Sequence, residues 1–182
     1  MKLVLASKNQ KKLVEMNDIL SHLGIEVCSE AEAGVDLEVE ETGTTFEENS
    51  LLKAKAVMEA SGLPAIADDS GLCVDCLNGA PGVYSARYGG EELDDAGRYR
   101  LLLNNMRGQM TRAAKFVSVI TCCFPNGDVL TARGECPGAI AYAPMGEGGF
   151  GYDPVFFVPE LKKTFAQLSP DEKNSISHRG TA

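Results

Sequence analysis

The stretch Ala67–Asp75, with the sequence ADDSGLCVD, places two consecutive carboxylates inside an apolar, strand-like run. Acidic side chains between buried strands are costly unless a metal, an arginine or backbone N–H groups accompany them. Side chains alternate faces along a strand, so Asp68 and Asp69 point in opposite directions if the strand continues through them. One then faces a site, while the other ties down a turn beginning at Ser70-Gly71. A common Asp-Asp-Ser-Gly surface turn is the alternative interpretation.

The length and charge of the chain narrow the possible classes of protein. Its 182 residues suit a single domain over residues 1–182, large enough to bury a core. No run of about 18 apolar residues exists, so we expect no contact with a membrane. The net charge of −9 argues against nucleic-acid binding, although local lysine groups leave an anionic small molecule open. The N-terminus has no signal-peptide shape, which predicts a cytoplasmic protein.

The six cysteines are expected to be reduced and structural, because most lie in apolar, strand-like surroundings. Cys73-x-x-Cys76 leaves a redox or zinc pair as an alternative. A zinc site needs about four ligands, however, and the adjacent Cys122 and Cys123 would point to opposite faces of a strand.

A strand, a polar turn and a helix start open the chain. Lys2–Ala6 reads as a buried strand, and the polar Ser7–Lys12 leads into a helix that places Leu13, Met16, Leu20 and Leu23 on one face and ends at Gly24. The free N–H groups of a helix start favour phosphate. Ser7 and Asn9 would add donors and Lys12 a point charge. A lysine-rich, solvated helix start is the alternative.

An acidic segment, Glu38–Thr45, precedes the next predicted helix. Thr45 and Glu48 match a capping box, and Asn49 and Lys53 share a helix face because they lie four residues apart. Glu41 is either a surface acid favoured by the helix dipole or a metal ligand.

The remaining pattern predicts an α/β domain with a mixed sheet. Asn126-Gly127 is a strong turn signal between two strand-like runs. Further elements are expected as follows: a strand at Val27-Cys28, a loop over Gly79–Tyr88, a helix from about Asp94 to Met106, a hairpin of Lys115–Phe124 with Val129–Cys136, a flexible loop at Gly146–Gly149, a strand at Val155–Val158, and a last helix capped by Ser169 with Pro170 at its first position.

Together these segments resemble the inosine/xanthosine triphosphate pyrophosphatase family. Each motif alone is weak or moderate, but they follow the family's order over nearly the whole chain, from residue 7 to residue 180. The matching motifs are Ser7-x-Asn9-x-x-Lys12, Glu41-Thr42-Gly43-x-Thr45-Phe46-x-Glu48-Asn49, Lys53-Ala54, Ala67–Leu72, Gly79–Tyr88, Phe150–Pro154 and Lys173-x-x-x-Ser177-His178-Arg179-Gly180.

The resemblance implies a fold and a reaction. The implied fold is a long, twisted mixed sheet flanked by helices, with two lobes around a central substrate cleft. The implied reaction is Mg²⁺-dependent hydrolysis of ITP, dITP and XTP to the monophosphate and pyrophosphate, in preference to ATP and GTP. The family's members are usually homodimers.

The resemblance also assigns roles to residues. Water must attack the α-phosphorus while the charge of the leaving pyrophosphate is neutralised. The family's metal carboxylates match Glu41 and Asp69, and Asp69 also matches its proton acceptor. Whether Asp69 acts as base, ligand or both is open, because a metal itself lowers the pKa of bound water. Asp68 is the second choice. The triphosphate is assigned to Ser7, Lys8, Asn9, Gln10, Lys11, Lys12 and Lys53.

Purine recognition is assigned to the later motifs. The 6-oxo group of inosine and xanthosine is an acceptor where adenine carries an amino donor, so a pocket of donors should reject adenine. Phe150 or Tyr152 could stack on the base or belong to the core, and His178 could donate a hydrogen bond or simply pack. His22 is expected at the surface. The assigned residues are Ser70, Phe150, Gly151, Tyr152, Asp153, Lys173, His178 and Arg179.

Two departures from the family pattern stand out. Lys8 and Lys11 occupy positions where glycine is frequent in relatives. The chain also ends at Ala182, where relatives continue with an apolar helical tail, so we expect the last helix to be short or truncated.

Three rival functions fit the sequence less well. A pyrophosphatase for modified pyrimidine nucleotides would lack the Ser177-His178-Arg179 motif. A non-catalytic nucleotide sensor would lose a metal carboxylate or a phosphate lysine, yet Glu41, Asp69, Lys12 and Lys53 are all present. Nucleic-acid binding lacks a basic stripe with interleaved aromatic residues.

Overall fold

Seven strands form one mixed sheet in the computed structural model, which describes residues 1–182. The strand order is β2-β1-β3-β4-β5-β6-β7. β1 pairs in parallel with β2 and β3, whereas β6 pairs antiparallel with β5 and β7. The strands are β1 Lys2–Leu5, β2 Glu26–Cys28, β3 Ala65–Val74, β4 Ala113–Cys123, β5 Val129–Ile140, β6 Phe156–Val158 and β7 Lys163–Thr164. The mixed α/β sheet predicted from the sequence is confirmed.

Five α-helices and four short 3-10 helices accompany the sheet, and no helix is long and apolar enough to cross a membrane. The α-helices are α1 Gln10–Ser21, α2 Phe46–Ser61, α3 Asp95–Asn105, α4 Pro170–Ile176 and α5 His178–Thr181. The 3-10 helices are Asp75–Leu77, Gly82–Arg87, Asp153–Val155 and Phe165–Gln167. Ser169 caps α4 and forms a reciprocal capping box with Glu172, with Pro170 at the first position, as predicted. The predicted hairpin is also confirmed, since β4 and β5 are neighbours joined by a turn in which the Phe124 N–H donates to the Asp128 carbonyl at 2.9 Å.

The chain divides into two compact units: Met1–Asp69 with Ser118–Gly134 and Ala182, and Ser70–Val117 with Glu135–Thr181. The two-lobed cleft stays a prediction.

The first unit has apolar clusters on both faces of its strands. Val4 packs with Ala54 and Val57 of α2, whereas its neighbours Leu3 and Leu5 pack with Met16 of α1. This alternation follows from the two-residue repeat of a strand, and covering both faces explains why β1 reads as a continuous apolar run.

The cysteines fit the same alternation. Cys122 belongs to the cluster with Met16 and Cys123 to the cluster with Val57, so they do face opposite sides of the sheet. All six cysteines are free thiols, and Cys28, Cys122, Cys123 and Cys136 are buried.

The second unit is built around aromatic rings. The Phe116 ring lies 4.5 Å from that of Phe156 and 5.4 Å from that of Phe165, measured between centroids. Leu102 of α3 and Met106, which directly follows the helix, complete this core and are fully buried.

Two boundary predictions are wrong. α1 ends at Ser21, and Leu23 is 72% exposed rather than part of the buried stripe, because the chain turns there to enter β2. The turn expected at Ser70-Gly71 does not form. β3 instead runs without interruption from Ala65 to Val74, between β1 and β4 in the sheet.

Candidate active site

The two carboxylates of β3 point in different directions, as alternation predicts. Asp68 is 1% exposed, and its Oδ1 accepts a hydrogen bond from the Ser118 hydroxyl at 3.2 Å. The Asp69 carboxylate turns the other way, and its Oδ1 lies 3.6 Å from Lys53 Nζ. Asp68 is therefore tied into the sheet, while Asp69 faces the charged groups around it.

Lys53 brings Asp69 and Glu41 together. Its Nζ lies 3.2 Å from Glu41 Oε1 and donates to the Asp68 carbonyl at 2.9 Å. α2 supplies the lysine, β3 supplies the aspartate, and Glu41 comes from the irregular segment before α2. We call Glu41, Lys53 and Asp69 the acidic cluster. Both carboxylates predicted as metal ligands thus meet at one lysine.

Burial dominates the chemistry of Asp69. Desolvation raises the pKa of this carboxyl from 3.8 to about 6, although Lys53 and Lys12 pull it down. Glu41 and Asp68 add smaller upward shifts. The second oxygen, Oδ2, is buried and makes no hydrogen bond. A buried carboxylate oxygen that lacks a partner is costly, so it is suited to bind a cation or a proton.

The acidic cluster fits a magnesium ion better than a softer metal. Mg²⁺ prefers hard oxygen ligands and commonly takes one or two carboxylates, with phosphate and water completing its shell. Glu41, 27% exposed, and the unsatisfied Oδ2 of Asp69 meet this requirement. No group of three or more His, Cys, Asp or Glu side chains is arranged to hold a metal ion.

The start of α1 is capped by its own sequence. Asn9 Oδ1 accepts from the N–H groups of Lys11 at 3.0 Å and Lys12 at 3.3 Å, and Ser7 Oγ accepts from the Asn9 N–H at 3.1 Å. The expectation of free N–H groups at this helix start is therefore wrong for Lys11 and Lys12. The Asn9 amide and the Ser7 hydroxyl still carry hydrogens that can be donated, so their role as donors stays a prediction. A helix start satisfies its first N–H groups from an N-cap side chain when one is present.

The residues predicted to bind the triphosphate lie in two different environments. Ser7, Lys8 and Gln10 line a pocket of about 440 Å³ that also carries the acids Glu30 and Asp36. Lys8 pairs with Glu38 at 2.6 Å on the surface, and Lys11 is exposed. Lys12 is half-buried and lies close enough to Asp69 to lower its pKa.

In the second unit, Lys173 and Asp153 form a buried ion pair. Lys173 Nζ lies 2.6 Å from Asp153 Oδ2, and both side chains are less than a tenth exposed. The same oxygen accepts from the Phe150 N–H at 3.0 Å. Lys173 Nζ and the Arg179 guanidinium lie 4.7 Å and 5.8 Å from the centre of the Phe150 ring. We call Phe150, Asp153, Lys173 and Arg179 the Phe150 cluster.

Tyr152 and Phe150, the two aromatic alternatives for base stacking, differ in burial. Tyr152 is 6% exposed, belongs to the core, and donates its hydroxyl to the Ser85 carbonyl at 2.6 Å. Burial raises its pKa above that of a free phenol. Phe150 is only partly buried. The core interpretation is confirmed for Tyr152, which leaves the Phe150 ring as the one available for stacking.

His178 and Arg179 belong to the short helix α5, and both are almost fully buried. The His178 ring stacks on Phe116, with centroids 4.7 Å apart and planes 16° from parallel. Arg179 donates to Ser70 Oγ at 3.2 Å, which brings two predicted substrate residues together. Packing of His178 is confirmed, and its role as a donor stays a prediction. His22 is exposed, as expected.

Three supporting residues were missed by sequence reasoning. Ser118 binds Asp68 from 50 residues away, which no local pattern could indicate. Asp95, in the first turn of α3, accepts from the Gly151 N–H at 3.0 Å. Asn49 was placed on the same face as Lys53, but its buried contact with Gly43 was not foreseen.

Comparison with known proteins identifies the family. A family model described as Ham1 family matches residues 3–182. A dITP/XTP pyrophosphatase from Desulforamulus reducens is 52% identical and one from Exiguobacterium is 50% identical, over all of this chain and 92% and 93% of those proteins.

Solved structures agree with this match. A HAM1 protein from Coxiella burnetii superposes with a TM-score of 0.89 at 44% identity, and the Ham1 protein of Staphylococcus aureus with 0.88 at 46%. Each comparison covers the whole chain and at least 93% of the other protein. The resemblance drawn from the motifs is confirmed, and the chain belongs to the Ham1 family.

Proposed function

We propose that this enzyme hydrolyses dITP, XTP and ITP to the nucleoside monophosphate and pyrophosphate, and so clears these purines from the nucleotide pool. The observation that carries the proposal is the acidic cluster, in which a buried Asp69 with one unsatisfied oxygen lies against Lys53 and Glu41. The names of the relatives, dITP/XTP pyrophosphatase, supply the substrate class.

Charge neutralisation is the first task in this reaction. The triphosphate carries several negative charges, and catalysis of phosphoryl transfer rests mainly on positioning and electrostatic stabilisation. Lys12 and Lys53 lie beside Asp69 and are proposed to take phosphate oxygens, with Ser7, Lys8 and Gln10 extending the contact along their pocket. Lys8 would exchange Glu38 for phosphate, which costs little because both partners are exposed.

Glu41 and Asp69 are proposed to hold Mg²⁺. When bound, the ion would supply a Lewis acid for the phosphate oxygens and a lowered pKa for a bound water. Burial raises the pKa of Asp69 to about 6 in the metal-free protein, and the resemblance matches Asp69 to the family's proton acceptor. We therefore assign proton acceptance from the attacking water to Asp69. Asp68 has a structural role through Ser118.

The Phe150 cluster is proposed to recognise the purine. The partly exposed Phe150 ring offers a stacking surface. Lys173 and Arg179 are donors, suited to the 6-oxo acceptor of hypoxanthine and xanthine but mismatched with the amino group of adenine. Asp153 orients this arrangement, because it binds both Lys173 and the Phe150 N–H.

Substrate preference tests the proposal directly. Pyrophosphate release should be compared for dITP, XTP, ITP, GTP and ATP at equal concentration with Mg²⁺. We expect kcat/KM for the first three to exceed that for ATP by at least about 10²-fold, since a buried donor left without an acceptor costs several kcal/mol. Equal turnover of ATP would contradict the purine assignment, while retained ITP binding without turnover would point to a sensor.

We further propose that the protein is a homodimer, following the family resemblance. Sedimentation equilibrium should then give twice the mass of the chain at micromolar concentration. A purely monomeric species under these conditions would contradict this part of the proposal.

A further inference from the structure

Glu41 lies in a part of the chain that has neither helix nor strand. No regular element occurs between Cys28, the end of β2, and Phe46, the start of α2. A carboxylate on such a segment needs another constraint if it is to stay 3.2 Å from Lys53. The constraint comes from α2 itself.

Asn49, in the first turns of α2, holds the backbone two residues after Glu41. Its side chain is fully buried, and its Oδ1 accepts from the Gly43 N–H at 2.8 Å. Its Nδ2 donates to the Gly43 carbonyl over a longer distance, 3.5 Å. One amide side chain therefore satisfies both polar backbone groups of the half-buried Gly43, which would otherwise need water as their partner.

The fit around Gly43 is close. A Cβ added there would lie 2.6 Å from Glu48 Cβ and 2.7 Å from Asn49 Oδ1, so only glycine allows this approach. Glu48 strengthens the attachment, because its Oε2 accepts from the Thr44 N–H at 2.8 Å. Thr45 in turn caps α2 by accepting from the Glu48 N–H at 3.1 Å.

We propose that Asn49 is a positioning residue for the metal carboxylate. Asn49 and Lys53 lie one helical turn apart on the same face of α2. Asn49 binds the backbone beside Glu41, and Lys53 binds the Glu41 carboxylate. The helix thus fixes the position of Glu41 relative to Asp69 through two side chains, the amide of Asn49 and the ammonium of Lys53. This inference rests on the proposed function only in taking Glu41 as a Mg²⁺ ligand.

Asn49→Ala tests the role, with Ser50→Ala as the matched control. Ser50 is the next residue of α2, is equally buried, and shares a 2.7 Å hydrogen bond with Thr121 instead of the loop. We expect Asn49→Ala to raise the Mg²⁺ concentration for half-maximal turnover by about 10-fold, the lower end of the effect of removing a residue that orients a metal ligand. The KM for nucleotide should change less than about twofold, and Ser50→Ala should change neither value.

Two readouts do not depend on turnover. Binding of Mn²⁺ to the nucleotide-free protein, followed by electron paramagnetic resonance, should weaken by the same factor in Asn49→Ala. Hydrogen exchange of the Gly43 amide, followed by NMR, should be slow in the unmodified protein and in Ser50→Ala, and at least about 10-fold faster in Asn49→Ala.

The outcomes separate this inference from the proposed function. If dITP and XTP are not hydrolysed at all, the exchange and Mn²⁺ measurements still test Asn49. Should Asn49→Ala fail to fold, Gly43→Ala disturbs the same contact from the other side and should show the same loss of metal affinity. A folded variant with fast Gly43 exchange but unchanged Mn²⁺ and Mg²⁺ dependence would overturn the positioning role, as would a Gly43 amide that is unprotected in the unmodified protein.

Discussion

Asp69 combines two opposing influences in one side chain. Burial disfavours its charged form, while Lys53 and Lys12 favour it. The balance leaves the carboxyl with a pKa of about 6 and one oxygen without a hydrogen bond. Such a group gains more from a cation or a transferable proton than an exposed aspartate would, because both remove the cost of its burial.

We predict that Asp69→Asn nearly abolishes hydrolysis, by about 10³-fold or more in kcat, the scale of removing a central electrostatic group. Asparagine has nearly the same shape, so the variant should remain folded. Initial rates with dITP and Mg²⁺, together with the circular dichroism spectrum, provide the measurement. Near-normal turnover in the folded variant would exclude Asp69 from the mechanism.

The pKa of Asp69 also predicts a pH dependence of stability. Because the folded pKa, about 6, exceeds the ordinary value of 3.8, the stability linked to this group is fully present below about pH 4 and is lost as the pH rises through about 6. The amide that replaces the carboxyl in Asp69→Asn does not titrate. In metal-free protein, the free energy of unfolding of Asp69→Asn relative to the unmodified chain should therefore rise by about 2 to 2.5 kcal/mol from pH 4 to pH 7.

Urea denaturation in the presence of a chelator at several pH values measures this difference. A difference between the two proteins that stays constant from pH 4 to pH 7 would show that the Asp69 pKa is not raised in the folded state.

The buried ion pair of Asp153 and Lys173 leads to a third prediction at the level of residues. Asp153→Ala leaves the Lys173 ammonium buried without its carboxylate, and we expect a loss of about 3–5 kcal/mol in unfolding free energy. The control is Glu135→Ala, which breaks an exposed pair with Lys115 and should cost less than about 1 kcal/mol. If denaturant titrations gave the same loss of unfolding free energy for Asp153→Ala and Glu135→Ala, the distinction between a buried and an exposed ion pair would be refuted.

Among the structural elements, the loop before the Phe150 cluster depends on glycine. Gly149 has φ of +70°, and a Cβ there would lie 2.0 Å from Asp153 Oδ2. Gly151 has a similar φ of +61°, but nothing lies within 4 Å of its added Cβ. A side chain at either position would strain the backbone, but an added Cβ collides with a neighbouring atom only at Gly149.

We predict that Gly149→Ala raises the KM for dITP and destabilises the fold, because the Phe150 N–H to Asp153 contact must move. Gly151→Ala should cost only about 1–2 kcal/mol of backbone strain, with a smaller change in KM. Steady-state kinetics and denaturant titrations on both variants compare them. Matching effects would mean that the collision is relieved without disturbing Asp153.

The sequence predicted helix starts and turns well where they depend on interactions between residues close together in the chain. The capping serine and proline of α4 and the Asn126-Gly127 turn act within a few residues, so the sequence carries their full signal. The run through Ser70 and Gly71 was harder to interpret. These two residues favour turns, yet they lie inside β3, where the surroundings in the sheet override local preference.

The residues of the candidate site could be predicted from the order of the motifs, but several of their contacts could not. Motif order placed Glu41, Lys53 and Asp69 together before any distance was known, and their separations of 3.2 and 3.6 Å agree. The cap that Asn9 provides for α1 was not predicted, because the sequence analysis considered only the donor group of an amide side chain that also accepts. The Ser118 contact with Asp68 spans 50 residues and follows only from the pairing of strands.

For the whole molecule, membership of the Ham1 family rests on a match over residues 3–182. The central claim is more specific: water attacks the α-phosphorus, so pyrophosphate leaves intact. The acidic cluster belongs to the first compact unit and the Phe150 cluster to the second.

Phosphorus NMR of a reaction with dITP and Mg²⁺ tests this claim most directly, with Asp69→Asn purified in parallel to exclude contaminating enzymes. We predict that the three triphosphate resonances give way to one monophosphate and one pyrophosphate resonance. Appearance of orthophosphate together with the nucleoside diphosphate would instead show cleavage at the γ-phosphate and contradict the mechanism.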